Sequence, residues 1–405
     1  MDKKRILAMV MSGGKGERLF PLTGERSKPS VPFGGRYRLI DFPLSNLINS
    51  GIYSIYVLVQ YKSQSLIEHV RTAWQKAGVL PEHFVTVVPP QMRLEAVRDF
   101  YRGTADAIYQ NINLIYDFKP DMVMILSSDH IYRMDMTQMV DFHLRRGSDV
   151  TVSAIPVPSS DAFRFGIVDL GHDHRVRSFR EKPTLSGHGS VYASMGNYIF
   201  STDALIRAVE KVAASRGSSH DFGKDILPYM VKNKGRVIAY DFSSNRIPGL
   251  REYEEPCYWR DVGTIASYWS SNMDLLGRHP RLDLFNKSWP IYTSDLNIPP
   301  SCFVSARLDN VLTGEGTHVF SSSVKNSILG RGVKIEEGCS IEDSIIMDFT
   351  IVGKGSRIRK TIVDRFNLLE VGTTIGFDLA ADAKKYHLDK TCGIVVVKRG
   401  SRKAG

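Results

Sequence analysis

The feature that most restricts the fold lies near the C-terminus. Segments beginning at Ser327, Ser344 and Thr361 align at a constant interval, and five columns agree in all three. These are Ile328/Ile345/Ile362, Leu329/Ile346/Val363, Ile335/Val352/Leu369, Gly338/Gly355/Gly372 and Ile341/Ile358/Ile375. Within a unit the aliphatic anchors fall six residues apart, as at Leu329, Ile335 and Ile341. Each coil then has three short faces, an inward aliphatic on each, and glycine at a tight corner. This is the pattern of a hexapeptide-type parallel β-helix. Val311, Leu312 and Val324 suggest an earlier, degraded coil.

Many hexapeptide β-helices are acyltransferases that use a histidine near a protruding loop. The three clean coils contain no histidine; His318 and His387 lie outside them. A scaffold that also makes oligomer contacts is the expected role.

The first two thirds have a different texture. Apolar runs at Ile6–Met11, Ser54–Val59, Met122–Leu126, Val150–Ile155 and Tyr192–Phe200 read as strands. Between several of them lie helical patterns, one after Ser63 and one over Ala105–Tyr116. Strands alternating with helices predict an α/β fold: a Rossmann-like mixed, mostly parallel sheet covered on both faces. Such sheets bind ligands at the carboxyl ends of their strands. Residues 1–272 are assigned to this domain, 273–300 to a connector containing Pro290, Pro299 and Pro300, and 301–405 to the β-helix.

Charge narrows the partners. The chain is basic, with a formal net charge of +10. Its lysines and arginines sit singly near glycines and never run six together. That pattern favours phosphorylated small molecules over nucleic acid. Four scattered cysteines, with no CxxC pair, fit reduced thiols in a cytoplasmic protein. No apolar stretch is long enough for a membrane span.

Four motifs could carry chemistry. The first, Ser12-Gly-Gly-Lys-Gly-Glu-Arg-Leu-Phe-Pro-Leu-Thr23, follows a strand. It is not a Walker A loop, because no Gly-Lys-Ser/Thr follows at the required spacing. It is not a Rossmann fingerprint either, because Leu19 stands at the third glycine position. Gly13, Gly14 and Gly16 would let backbone N–H groups approach phosphate oxygens, with Arg18 and Lys28 neutralising charge. Next, Ser127-Ser-Asp129 ends an apolar strand; Asp129 is a metal ligand there or the N-cap of a following helix. Asp261, in Trp259-Arg-Asp261-Val-Gly, is a second carboxylate. Two carboxylates with substrate phosphates suit Mg²⁺. Last, Lys182 precedes Pro183, and an extended backbone there would project its ammonium into a cleft.

Taken together and in this order, the chain resembles the ADP-glucose pyrophosphorylases, or glucose-1-phosphate adenylyltransferases, over essentially its whole length. The resemblance rests on SGGKGERLFPLT, Lys28-Pro29, FGGRYRLIDFPLSN (33–46), YRGTADA (101–107), SDHIY (128–132), EKP (181–183), SMGNYIF (194–200), SSHDFGKDILP (218–228) and WRDVGT (259–264). It implies a nucleotidyltransferase domain followed by a left-handed parallel β-helix. The implied reaction is ATP plus glucose 1-phosphate giving ADP-glucose and pyrophosphate, the activation step for glycogen. By similarity, Gly13, Gly14, Gly16, Gln91, Gly103 and Thr104 belong to the nucleotide site, with Arg18 and Lys28 at the triphosphate. Tyr101, Gly166, Glu181, Lys182 and Ser194 match glucose 1-phosphate positions, with Lys182 on its phosphate. Asp129 and Asp261 would hold Mg²⁺. The family also implies a homotetramer and an anionic allosteric effector between the domains, at Arg26 and Arg38. Enteric members carry Asn-Lys-Arg where this chain has Gly24-Glu25-Arg26, so Glu25 reverses the charge of an activator-binding lysine. Three other readings are kept: a pyrophosphorylase for another nucleotide or sugar phosphate, a catalytically silent regulatory subunit, and acyl transfer by the β-helix.

Overall fold

The computed structural model describes residues 4–74, 82–91, 100–185 and 189–401. Its N-terminal part is built on a nine-stranded sheet. The strands are β1 Ile6–Ser12, β2 Ser54–Val59, β3 Phe84–Val88, β4 Met122–Ser127, β5 Val150–Pro158, β6 Gly166–Leu170, β7 Val176–Glu181, β8 Ser190–Ser201 and β9 Val237–Asp241. β3, β2, β1 and β4 are parallel neighbours, in that order. Beyond β4 the sheet becomes mixed. β8 runs antiparallel to β5 along one edge, and its other edge is shared by β4 and β6.

Alternation along β1 explains why both faces need covering. Leu7 and Met9 pack with Ile108, Leu205 and Val209, from helices 104–110 and 202–213. Ala8 and Val10 point the other way, against Leu44, Leu66, Val70 and Met139, from helices 41–49, 64–74 and 136–146. A period of two on a strand between helical layers requires this two-faced core. The helix expected over 105–116 is broken. It runs Thr104–Gln110 and resumes at Ile112–Phe118, because Asn111 leaves helical geometry and its amide bonds back to the Ala107 carbonyl and to the Tyr101 hydroxyl.

Residues 274–301, after helix Ile265–Met273, contain no helix or strand, but they bury Leu282, Trp289 and Ile291. The repeats then form parallel coils. Ile328 pairs with Ile345 and Ile345 with Ile362, one coil apart, and Leu329, Ile346, Val363, Ile335, Val352 and Ile341 fill the interior. The corner glycines Gly338, Gly355 and Gly372 have φ of 71°, 70° and 73°, which a side chain adopts only with strain. Leu312 pairs with Ile328, so the earlier coil exists and is one residue shorter. Strand Thr361–Val363, the first of the third coil, pairs in parallel with Ile394–Val397, and His387–Asp389 covers that edge antiparallel.

The two parts share a core. Leu19, Leu22, Phe33, Tyr258 and Tyr268 pack with Ile328, Ile345, Ile362 and Val396. The first repeat column therefore faces the N-terminal domain rather than the coil interior.

Candidate active site

The strand order brings three chain ends to one edge. β1, β2 and β4 are adjacent and parallel, so the glycine loop, Gln60 and Ser127-Ser128-Asp129 emerge side by side. They line a cavity of about 760 Å³, together with Arg18, Lys28, Tyr101, Gly103, Thr104, Lys182 and Asp221. Gly13, Gly14 and Gly16 are all on its wall. Of these, Gly16 has the strongest conformational demand. Its φ is 66°, and a Cβ would lie 3.1 Å from both Lys28 and Thr23.

Lys28 closes the floor. Its Nζ lies 2.8 Å from Asp129 Oδ2 and 3.2 Å from Asp261 Oδ1. Burial is the largest influence and by itself would raise the Asp129 carboxyl, but the Lys28 ammonium, His130 and the Ser127 hydroxyl together hold Asp129 below the usual carboxylate range. Asp261 is lowered in the same way, against its own burial. Burial would also strip the proton from Lys28, yet the two carboxylates hold it above the ordinary lysine value. The site is thus a charged triad at neutral pH, and the two carboxylates converge on the Lys28 ammonium. Asp129 is not a helix cap. It is followed by strand His130–Tyr132, which pairs with Trp259–Asp261 and so brings the two aspartates together. The cap of the next helix is Asp135. Arg18 stands near Asp261, since a Cβ on Gly263 would be 3.0 Å from both side chains.

His130 has a defined tautomer. Its Nδ1 lies 3.1 Å from the Met195 carbonyl, which can only accept, so Nδ1 carries the hydrogen. Nε2 then faces Asp129 Oδ1 at 3.7 Å.

The expected sugar-phosphate residues are partly assembled. Gly166 is opposite Glu181 in the β6–β7 pair. A Cβ on Gly166 would be 2.4 Å from the Phe179 ring and 2.9 Å from Glu181 Oε2, and one on Gly223 would be 2.8 Å from that same oxygen. Two glycines therefore make room for Glu181. Lys182 reaches the cavity, but not on an extended backbone. Its φ is +49°, and its N–H donates to the Phe165 carbonyl at 2.9 Å. The turn that ends β7 imposes this left-handed conformation, with the strain such a residue carries. Its ammonium is 3.3 Å from Glu181 Oε1. Ser194 lies at the β8 irregularity, accepting from Gly196 N at 3.3 Å.

Other expected residues have different surroundings. The Thr104 hydroxyl is engaged by the 218–226 turn, donating to Asp221 and accepting from Phe222 N. Gly103 admits that turn, since a Cβ would be 2.3 Å from the His220 carbonyl oxygen. Gln91 is exposed, at the end of the described 82–91 segment. Arg26 and Arg38 are away from the cavity, in a cluster between the domains with Arg331 and Arg365. Sequence reasoning assigned nothing to Gln60 or Asp221. The position of Gln60 just past a strand's carboxyl end was a usable signal. Asp221 gave none.

Known proteins bear on this geometry. The nucleotidyl transferase family pattern matches residues 7–278, and the GlmU-like, C-terminal hexapeptide pattern matches 301–397, as a left-handed parallel β-helix would. The chain is 47% identical to a glucose-1-phosphate adenylyltransferase of Thermodesulfovibrio yellowstonii, over 98% of this chain and 97% of that one. It is 43% identical to the proteins so named in Anaeromyxobacter sp. and Aliivibrio fischeri, with at least 98% of each chain covered. The chain belongs to the glucose-1-phosphate adenylyltransferase family. As a member of that family it is a nucleotidyltransferase. Among the described residues, no helix is long and apolar enough to cross a membrane.

Proposed function

We propose that this nucleotidyltransferase transfers the adenylyl group of ATP to α-D-glucose 1-phosphate, giving ADP-glucose and pyrophosphate. The observation that supports this best is the cavity itself. A glycine loop with Arg18 is on one wall, Lys182 on another, and Lys28 with two carboxylates at the floor.

The donor chemistry fits a divalent cation. Asp129 and Asp261 offer hard carboxylate oxygens on either side of the Lys28 ammonium, and with substrate phosphates they would make the oxygen shell Mg²⁺ prefers once Lys28 turns to the triphosphate. When bound, Mg²⁺ supplies neutralisation of the triphosphate and of the charge that develops at the α-phosphoryl group. The remaining work falls to the chain. The backbone of Gly13, Gly14 and Gly16 receives the triphosphate, and Arg18 and Lys28 neutralise its β and γ end. Lys182 fixes the phosphate of the sugar, and Glu181, Tyr101 and Ser194 orient the glucose.

A phosphate oxygen of glucose 1-phosphate attacks the α-phosphorus of ATP. A new P–O bond forms as the bond to the β-phosphate breaks, and pyrophosphate departs with its electron pair. The sugar phosphate is already anionic near neutral pH, so no residue has to take a proton. Catalysis is positioning and charge stabilisation.

The finer assignments follow from this reading. The product would activate glucose for glycogen synthesis in the cytoplasm, where the four cysteines, all free, are at home. A homotetramer is proposed, with exposed Phe303 and Val304 on the first coil as candidate contacts. An anionic effector is proposed between the domains, at Arg26 and Arg38. Arg26 Nη1, Arg38 Nε and Arg365 Nε are buried there without an acceptor among the described residues. The decisive experiment measures pyrophosphate release from ATP and glucose 1-phosphate with Mg²⁺, with and without anionic effectors. No release under either condition would refute the proposal.

A further inference from the structure

Arg26 and Asp364 form an ion pair across the domain boundary, with each side chain only 1% exposed. Arg26 is two residues before Lys28, while Asp364 follows the first strand of the third coil, Thr361–Val363. The Arg26 guanidinium is divided between the two domains. Its Nε donates to the Leu22 carbonyl at 3.0 Å, tying the segment that follows the glycine loop. Its Nη2 donates to Asp364. Its Nη1 is buried without an acceptor among the described residues.

Asp364 is tied to the β-helix by several hydrogen bonds. Its N–H donates to the Val397 carbonyl at 3.0 Å, its own carbonyl accepts from Thr350 and Asn367, and its Oδ1 accepts from Arg365 N at 2.7 Å. Even with this carboxylate present, the cluster is short of negative charge. Burial and neighbouring guanidiniums push Arg38 and Arg365 below the ordinary arginine value. Two other carboxylates offset only part of this: Asp348 is 3.6 Å from the Arg331 guanidinium, and Asp41 accepts from the Arg38 N–H. Asp41 is also taken by His69, Trp74 and Thr293, and Asp348 also accepts from the Arg331 backbone.

We infer that Asp364 is the resident counter-ion of the interdomain site, which an anionic effector displaces from Arg26, and that through Arg26 it positions the turn carrying Lys28. The inference rests on the effector reading above. While the pair stands, the Leu22–Ser27 segment is tied to the β-helix, and Lys28 is held against Asp129 and Asp261. An oxyanion entering the cluster offers the unpaired guanidinium donors new acceptors and competes with Asp364 for Arg26. Two ligands that compete for one group are linked reciprocally. Removing the carboxylate must therefore tighten anion binding, a result that a merely structural role for Asp364 would not produce.

The test is calorimetric titration of inorganic phosphate into the full-length wild type, Asp364→Asn and Arg365→Ala. The last variant isolates phosphate bound at the catalytic cavity. Asp364→Asn should bind phosphate on the order of tenfold more tightly than wild type, as loss of a competing buried charge implies. Without phosphate, its kcat/KM for ATP should move to the value of phosphate-saturated wild type. If Asp364→Asn does not fold, Asp364→Ser should give the same tightening. Equal phosphate affinity in wild type and the neutral variant overturns the counter-ion role and leaves the effector site standing. Unchanged ATP kinetics in the variant overturn the positioning role. If neither protein binds more phosphate than Arg365→Ala, the effector reading itself fails.

Discussion

Lys28 Nζ is 2.8 Å from Asp129 Oδ2, and the two residues come from opposite ends of the site, one after the glycine loop and one after β4. The carboxylate is held ionised by the ammonium and the ammonium is held protonated by the carboxylate. Replacing Asp129 by Asn keeps the shape and removes one proposed metal ligand. Hydrolysis-coupled detection of pyrophosphate at saturating substrates should show kcat reduced by about 10²–10³, the range seen for single electrostatic groups. A loss expressed wholly in KM would contradict the assigned role.

Lys182 should behave differently. Its proposed contact is to the ground-state phosphate of the sugar, equally present before and during reaction. Lys182→Ala should raise the KM for glucose 1-phosphate at least about tenfold, with kcat and the KM for ATP changed far less. Initial-rate kinetics with each substrate varied in turn will decide between this and a role at the reacting phosphorus.

Gly103 has an extended backbone that any residue adopts, so its requirement is purely one of space. A Cβ would meet the His220 carbonyl oxygen at 2.3 Å. The 218–222 backbone must then move away from Thr104, breaking its hydroxyl bonds to Asp221 and Phe222. Gly103→Ala should lower stability by about 1–3 kcal/mol, as overpacking does. A melting temperature equal to wild type would show that the turn relaxes freely.

His143 makes stability depend on pH. Burial lowers its pKa to about 4, and its ring faces the Thr151 and Ser201 hydroxyls. The unfolded chain binds this proton near pH 6.5 and the folded chain does not, so stability falls as pH drops from 6.5 towards 4. The contribution lost between pH 7 and 5 is about 2 kcal/mol. Denaturant unfolding at the two pH values should show a smaller difference for His143→Gln than for wild type.

Much of the chain was legible beforehand because local patterns carried it. The five strands predicted in the first two thirds are all present, since short branched runs between helices have few other ways to bury themselves. The three coils follow from a repeat that puts identical residues in identical places. The helix break at Asn111 was not legible, because it depends on a bond to Tyr101 that exists only in the folded chain. The left-handed turn at Lys182 has the same origin, a bond to the Phe165 carbonyl made by strand pairing.

The sequence by itself determined which residues could serve a phosphate site, because glycine, lysine and aspartate are chemically suited to it wherever they stand. It also determined that Ile328, Ile345 and Ile362 form one column, because repetition imposes equivalence. Only the tertiary structure decided where these groups point. The column faces the N-terminal domain and joins its core. Asp129 and Asp261, far apart in the chain, meet because strands 130–132 and 259–261 pair. Arg26 closes on Asp364 because the β-helix packs beside the glycine loop. Composition and spacing are properties of a line, whereas convergence of charge depends on strand order and domain packing.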